Sequence, residues 1–375
     1  MKKIGIVTYY KIYNYGSILQ AYALSEKINS LGYESEIIDY LDDTQSCFSE
    51  IKKKTYRNRI LTSLKSPFLF FSTISTKLKG NKFVANISSS QKQKFDDFMY
   101  KYLKLSKTDI LNDKDYFSGF VCGSDQVWQL SAPGLHELYY LRFTSPDKRI
   151  AYAPSFGSQT IPWYNKKRLI KYLSEFSNIS VRENSGVEII KNLLNIEVPQ
   201  VLDPVLLVEN SFWNQFITST TNKYIVGYFI GDISNYIETI QNIEKKVGTK
   251  MILINSGKKQ NIDRETIEAR PEEFVNLIAN SEYVLTDSLH GTEFAIVFKK
   301  NFLVLERNYV TVPEQKTRLI SLLQLLNLEN RYKTSLDKVD ELYIENINYN
   351  TIDQILNKER KKSNLYLSNA LNKLK

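Results

Sequence analysis

The sequence predicts an α/β protein of two doubly wound, Rossmann-like domains facing a cleft. Two observations carry this. Short apolar runs alternate with helical-period stretches in both halves, which implies parallel strands with helices on both faces. At 375 residues the chain is also long for one core, so two domains are expected.

The elements follow in order. Residues 4–8 read as an apolar strand. Asn14 and Gly16 supply turn geometry in the loop after it. Ser17 is then expected to cap a helix to residue 31, whose apolar side is Ile18, Leu19, Ala21, Tyr22, Leu24 and Ile28. Residues 35–40 are the next strand, completing a βαβ opening. Neither G-x-G-x-x-G nor a P-loop follows the first strand. A helix is expected over 91–103, strands over 119–122, 139–143, 149–155 and 179–182, and a helix over 165–175. The stretch 198–207 reads as a strand ended by proline. The second half repeats the alternation. Its strands are expected at 224–230, 251–255, 283–286 and 302–305, and its helices at 234–247, 271–280, 291–299 and 314–325. A long amphipathic helix closes the chain at 352–374. The expected division is 1–207 with an insertion at 41–92, 208–335, and a helical segment 336–375 packing back. Ligands in such sheets bind beyond the carboxyl ends of the strands.

Composition excludes several classes. The chain is 42% hydrophobic and 24% charged, as ordinary soluble proteins are. There is no run of about 18 uncharged apolar residues, so no spanning helix is expected. No secretory signal opens it, and a cytoplasmic location is expected. Cys47 and Cys122 are read as reduced thiols. The two histidines rule out a His-rich metal site, and no metal is expected. The net charge is +9, and its placement is uneven. Residues 51–82 hold Lys52, Lys53, Lys54, Arg57, Arg59, Lys65, Lys77, Lys79 and Lys82, with no acid. Interleaved with the aromatics of SPFLFFSTIST, they read either as a solvated insertion or as a peripheral contact with an anionic membrane, on its inner face. No nucleic-acid module surrounds them, so no nucleic-acid partner is expected.

One stretch concentrates candidate chemistry. Residues 283–300, YVLTDSLHGTEFAIVFKK, run from a strand through a turn into a helix. Such a turn points free amides and a positive dipole end at one spot, which suits an anion. His290 lies there. The other histidine, His136, reads as a surface residue.

Four polar turns, YNYGS, GSDQVW, SVREN and TDSLHGTEFA, follow strands in this order. With Ser288-Leu289-His290-Gly291, Arg182 after a strand, and Asp203-Pro204, the chain resembles the polysaccharide pyruvyl transferase family over residues 3–325. The resemblance implies a glycosyltransferase-B-like fold. It also implies transfer of a pyruvyl unit from phosphoenolpyruvate, the donor substrate, to a sugar, closing a ketal, with no organic cofactor. By the resemblance, Arg182 and His290 contact phosphoenolpyruvate, together with Ser288, Leu289 and Gly291. A later basic residue, Lys316 or Arg318, is a third contact. The acceptor is expected to be a glycan or lipid-linked oligosaccharide.

The chemistry accounts for these residue types. A carboxylate and a phosphate need a fork of donors. The enol carbon must be protonated, and histidine's ordinary pKa of about 6.5 lets His290 serve as acid or as phosphate ligand. Hydroxyl attack wants a carboxylate, for which Asp125 and Asp287 are candidates. Asn14, Tyr15, Gly16 and Asp125 are expected on the acceptor side, with Tyr13 and Tyr15 offering ring faces to sugars. Each has a plainer reading. Asp287 and Asp125 can be caps, Arg182 an ion-pair partner of Glu183 or Glu175, and Asn14 and Gly16 turn geometry. The alternative function is a nucleotide-sugar-dependent glycosyltransferase, which needs a late glutamate for the ribose, Glu293 or Glu306.

Overall fold

The computed structural model describes residues 1–40, 46–66, 69–70, 87–110, 113, 115–307, 316–335 and 345–374, with the side chains at 46 and 47 excepted. The first half contains β1 (Lys3–Val7), α1 (Tyr15–Ser30), β2 (Glu34–Ile38), α2 (Ser46–Ser63), α3 (Ser89–Tyr102), β3 (Leu105–Ser106), β4 (Gly119–Cys122), β5 (Arg149–Ala151), α4 (Trp163–Leu173), β6 (Asn178–Ile179), α5 (Asn184–Leu194) and the single turn α6 (Pro204–Leu207). The second half contains β7 (Ile225–Tyr228), α7 (Ile237–Val247), β8 (Met251–Ile254), β9 (Thr266–Ile267), α8 (Pro271–Asn280), β10 (Tyr283–Thr286), α9 (Leu289–Val297), β11 (Asn301–Leu305), α10 (Thr317–Leu325) and β12 (Tyr332–Lys333). The last helix is α11 (Tyr349–Asn372).

Two six-stranded sheets result, ordered β3-β2-β1-β4-β5-β6 and β12-β11-β10-β7-β8-β9. Every strand pairing in them is parallel. Both orders are the doubly wound one, with a reversal between the first and fourth strands. Strands with both faces covered must be apolar throughout, and Ile4, Ile6 and Val7, like Val284 and Leu285, are sealed from solvent. No helix among the described residues is long and apolar enough to cross a membrane.

The local expectations need four corrections. Asn14, not Ser17, caps α1: its side chain accepts from Ser17 N at 3.2 Å. This moves the helix start to Tyr15 and puts Gly16 inside it. Residues 139–143 are no strand. Leu141 takes φ +50° at the end of a 3-10 turn, Glu137–Tyr140, and Tyr140 stacks on Trp128. Residues 198–207 give only a bridge, Val181 to Gln200, before Asp203 caps α6 by accepting from Val205 N at 3.0 Å. His136 is half-buried rather than freely exposed. Its Nδ1 is buried without a hydrogen bond, against Tyr139 and near Arg59 and Lys52 of α2. Burial, then those cations, push its pKa down to about 4. Cys122 is buried and unbridged. Residues 67–68 and 71–86, which include most of SPFLFFSTIST, and residues 336–344 lie outside the described residues.

The two halves share one core. Tyr15, 1% exposed, stacks on Phe274 of α8 at 4.6 Å, donates to Ala269 O at 2.9 Å and accepts from Gln91 Nε2 at 3.0 Å. Gln91 also donates to Asn255 O at 2.9 Å. α11 returns to the first half. Arg360 Nε donates to Leu206 O at 2.7 Å, Tyr366 Oη to Ala151 O at 2.9 Å, and Lys2 Nζ to Leu374 O at 2.6 Å.

Candidate active site

Each sheet opens a crevice where its strand order reverses, and the two crevices meet. At the first, Thr8 Oγ1 donates to Ser124 O at 3.0 Å, tying the turn after β1 to the turn after β4. At the second, Thr286 Oγ1 donates to Tyr228 O at 2.7 Å, tying β10 to β7. The junction is α1 against α9. A Cβ built on Gly16 would stand 1.9 Å from His290 Nδ1 and 2.3 Å from its Cγ. Only glycine lets the imidazole lie against the first turn of α1.

Around His290 lies a buried charge cluster. Arg182 Nη1 donates to Asp203 Oδ2 at 2.6 Å, and its Nη2 stands 3.7 Å from Asp125 Oδ1. Asp203 Oδ2 also accepts from Ser124 Oγ at 2.9 Å and lies 3.6 Å from His290 Nε2. Asp125 Oδ2 accepts from Ser17 Oγ at 2.6 Å, and its Oδ1 accepts from Gln126 N at 2.8 Å. Glu293 sits one turn beyond His290 on α9, 1% exposed.

Electrostatics sort these groups. Burial pushes the Asp203 carboxyl up, but His290 and Arg182 beside it outweigh burial and hold it far below the usual carboxylate range. Asp125 is lowered in the same way, against burial, by His290, Arg182 and the Ser17 hydroxyl. Burial opposes the Arg182 charge, yet Asp203 and then Asp125 keep the guanidinium firmly protonated. Glu293 goes the other way: burial, then the Asp203 charge, raise it well above its ordinary value. The site thus sets two acids held low beside a guanidinium against one acid held high. His290 Nε2 and Glu293 Oε2 are both buried and unbonded. One side-chain atom each of Asp203, His290 and Glu293 lies within 4.8 Å of the others. A divalent cation fits poorly there, because Arg182 already occupies Asp203 Oδ2.

The remaining candidates divide. Arg318 lines a small cavity with Arg182, Asp203, Leu289 and Glu293, whereas Lys316 is exposed and pairs with Glu306 at 3.1 Å. Ser288 caps α9, accepting from Gly291 N at 3.4 Å, so Leu289 and His290 hold the leading positions of the helix. Asp287 accepts from Ile230 N at 2.8 Å, Gly231 N at 2.6 Å and Arg307 Nε at 3.0 Å. It fastens loops. Tyr15 is enclosed between aromatic rings and offers no face to a sugar. Tyr13 is half-buried, edge-on to Phe95. Glu175 pairs with Arg142 and with Arg149 at 2.9 Å. Glu183 accepts from Ser155 Oγ and Phe156 N, both at 2.9 Å. Neither takes Arg182.

A family model described as polysaccharide pyruvyl transferase matches residues 14–309. The chain belongs to the polysaccharide pyruvyl transferase family. No curated protein sequence matches it. Solved structures of similar extent include MurG of Acinetobacter baumannii, with 8% identity, 98% of this chain and 99% of that chain covered, and a TM-score of 0.41. The kitacinnamycin glycosyltransferase shows 9% identity, coverage of 100% and 99%, and a TM-score of 0.45. The UDP-GlcNAc 2-epimerase of Methanocaldococcus jannaschii shows 14%, 95% and 92%, and 0.36.

In this pyruvyl transferase family member, sequence reading missed Ser17, Ser124 and Glu293 as parts of the cluster, and missed the central place of Asp203. Asp203 precedes proline, and an Asp before a proline at the first helical position reads as an ordinary helix start. It serves as that cap through Oδ1 and holds Arg182 through Oδ2. Glu293 had a signal: it falls three residues after His290, on the same helix face. Of the glutamates a nucleotide-sugar enzyme would use, Glu293 lies deep in the cluster and Glu306 pairs with Lys316.

Proposed function

We propose that the protein transfers a pyruvyl group from phosphoenolpyruvate to a sugar of a cell-surface polysaccharide or its lipid-linked precursor, forming a pyruvate ketal in the cytoplasm. The observation that supports this reading is the convergence of His290, Arg182 and Asp125, from both sheets, on one buried spot.

The donor's phosphate meets the leading amides of α9 at Leu289 and His290. Arg182 reaches the donor by trading a contact with Asp125, and Arg318 adds charge from the other wall of the cavity. His290 gives the proton from Nε2 to the methylene carbon. The π pair forms that C–H bond and leaves positive charge on the neighbouring carbon. A sugar hydroxyl adds there, and Asp125 takes its proton. Phosphate departs with the electrons of its C–O bond, and a second hydroxyl closes the ketal, its proton leaving with the phosphate.

The test is incubation with phosphoenolpyruvate and a lipid-linked glycan extract. Phosphate release with a pyruvyl mass gain on the glycan is expected, lost in His290→Ala. Consumption of a nucleotide sugar, with no phosphate release on any acceptor, would sink the reading in favour of glycosyl transfer.

A further inference from the structure

The positive excess of the chain sits in the segment that contains α2, and the structure gives that helix two opposite faces. Phe48, Ile51, Thr55 and Thr62 are buried. At about 100° per residue they fall on one side. Polar bonds fix that side: Glu137 N donates to Thr55 Oγ1 at 3.3 Å, Asn58 Nδ2 to Glu137 Oε1 at 2.7 Å and Arg168 Nη1 to Thr62 Oγ1 at 3.2 Å. The opposite side carries Glu50, Lys53, Arg57 and Ile60, continued by Leu64 just past the last turn, with Tyr56 and Leu61 beside them. Ile60 is 42% exposed and Leu64 63%. Lys52 and Arg59 flank this stripe on one edge, Lys54 and Lys65 on the other, all exposed.

We propose that this face of α2 docks on an anionic lipid bilayer, with Ile60, Leu64 and Tyr56 entering the headgroup boundary and the lysines and arginines meeting lipid phosphates. A protein partner would need only the apolar stripe, and nucleic acid only the charge. The pattern here is an apolar line edged on both sides by long cationic side chains, which lie along the surface with their heads in water. The charge is matched to one sign of partner, since Lys52, Lys53, Lys54, Arg57, Arg59 and Lys65 stand against the single exposed acid of the helix, Glu50. The proposal does not depend on the reaction assigned to the His290 site.

The experiment is co-sedimentation of the full chain with vesicles of phosphatidylcholine alone and of phosphatidylcholine with about one-third phosphatidylglycerol. Binding to the anionic vesicles, falling with added salt, is expected. Lys53→Gln with Arg57→Gln should weaken it about 30-fold. Ile60→Ser with Leu64→Ser should weaken it about tenfold or more. The melting temperature should hold in both variants, because the stripe faces away from the body. Equal binding to both vesicle types, or unchanged binding in either double variant, overturns the proposal. So does duplex DNA that displaces the vesicles and loses its own affinity in the Lys53, Arg57 variant.

Discussion

Gly16→Ala adds one carbon where the two sheets touch through His290. That carbon would lie 1.9 Å from Nδ1 and 2.3 Å from Cγ. Ordinary contact needs about 3.5 Å, so the ring must recede by roughly 1.5 Å. The thermodynamic cost is modest. Alanine in the helix recovers about 1 kcal/mol of propensity, against about 1–3 kcal/mol for overpacking. A net loss of roughly 0–2 kcal/mol leaves the protein folded. Turnover should suffer far more, because a reacting group moved by about 1 Å can cost on the order of 100-fold. The assay pairs phosphate release from phosphoenolpyruvate with a thermal melt, and reads the imidazole Hε1 proton as a third channel. With two histidines in the chain, the His290 signal should shift while that of His136 stays. A kcat within about twofold of wild type, with the His290 signal unmoved, would refute the reasoning.

Three further outcomes are expected. Asp203→Asn removes the charge that balances buried Arg182 and should cost about 3–5 kcal/mol in urea unfolding; a loss under about 1 kcal/mol would mean that Asp125 alone suffices. Glu293 has a raised carboxyl pKa, so the folded state keeps a proton that the unfolded state gives up above its ordinary value of 4.5. Stability therefore falls as pH rises from that value, and Glu293→Gln should flatten this decline; parallel melting curves from pH 5 to 8 would contradict it. His136 works in the opposite direction. Its folded pKa of about 4 lies below the ordinary 6.5, so stability should be lost as pH falls between those values, less in His136→Gln, and an Hε1 titration midpoint near 6.5 would disprove the burial argument.

The long, periodic elements were readable because burial on both faces leaves a continuous apolar run. β1, β4, β7 and β10, the strands that flank the two crevices, are of this kind, so the two crevices were legible too. The edge strands β3, β9 and β12 are two residues each, too short for any period. The candidate site was half legible. Arg182 and Asp125 stand in turns after strands, and His290 in the first turn of the helix that follows one, where polar side chains stand out against an apolar strand. Ser17 and Glu293 stand inside helices, and their roles come from what lies opposite, which no local pattern encodes. Tyr15 shows the reverse: it sits in the expected loop, but the helix starting three residues earlier than expected turns its ring into the joint between the halves. The partner of Asp287 was hidden for a similar reason, since Arg307, twenty residues on, arrives from another strand end.

The return of α11 across the first sheet sets an order of events during synthesis. Tyr366 reaches Ala151 over a separation of 215 residues, and Leu374 covers Gly119 so closely that an added Cβ there would stand 2.5 Å from it. The amino-terminal half therefore leaves the ribosome with a strip of its sheet bare, and it must wait through the whole second half for the helix that closes it. A nascent chain stalled near residue 300 should hold a folded first domain that is open along one side, a natural substrate for chaperones. The same chain extended past 374 should shut that seam.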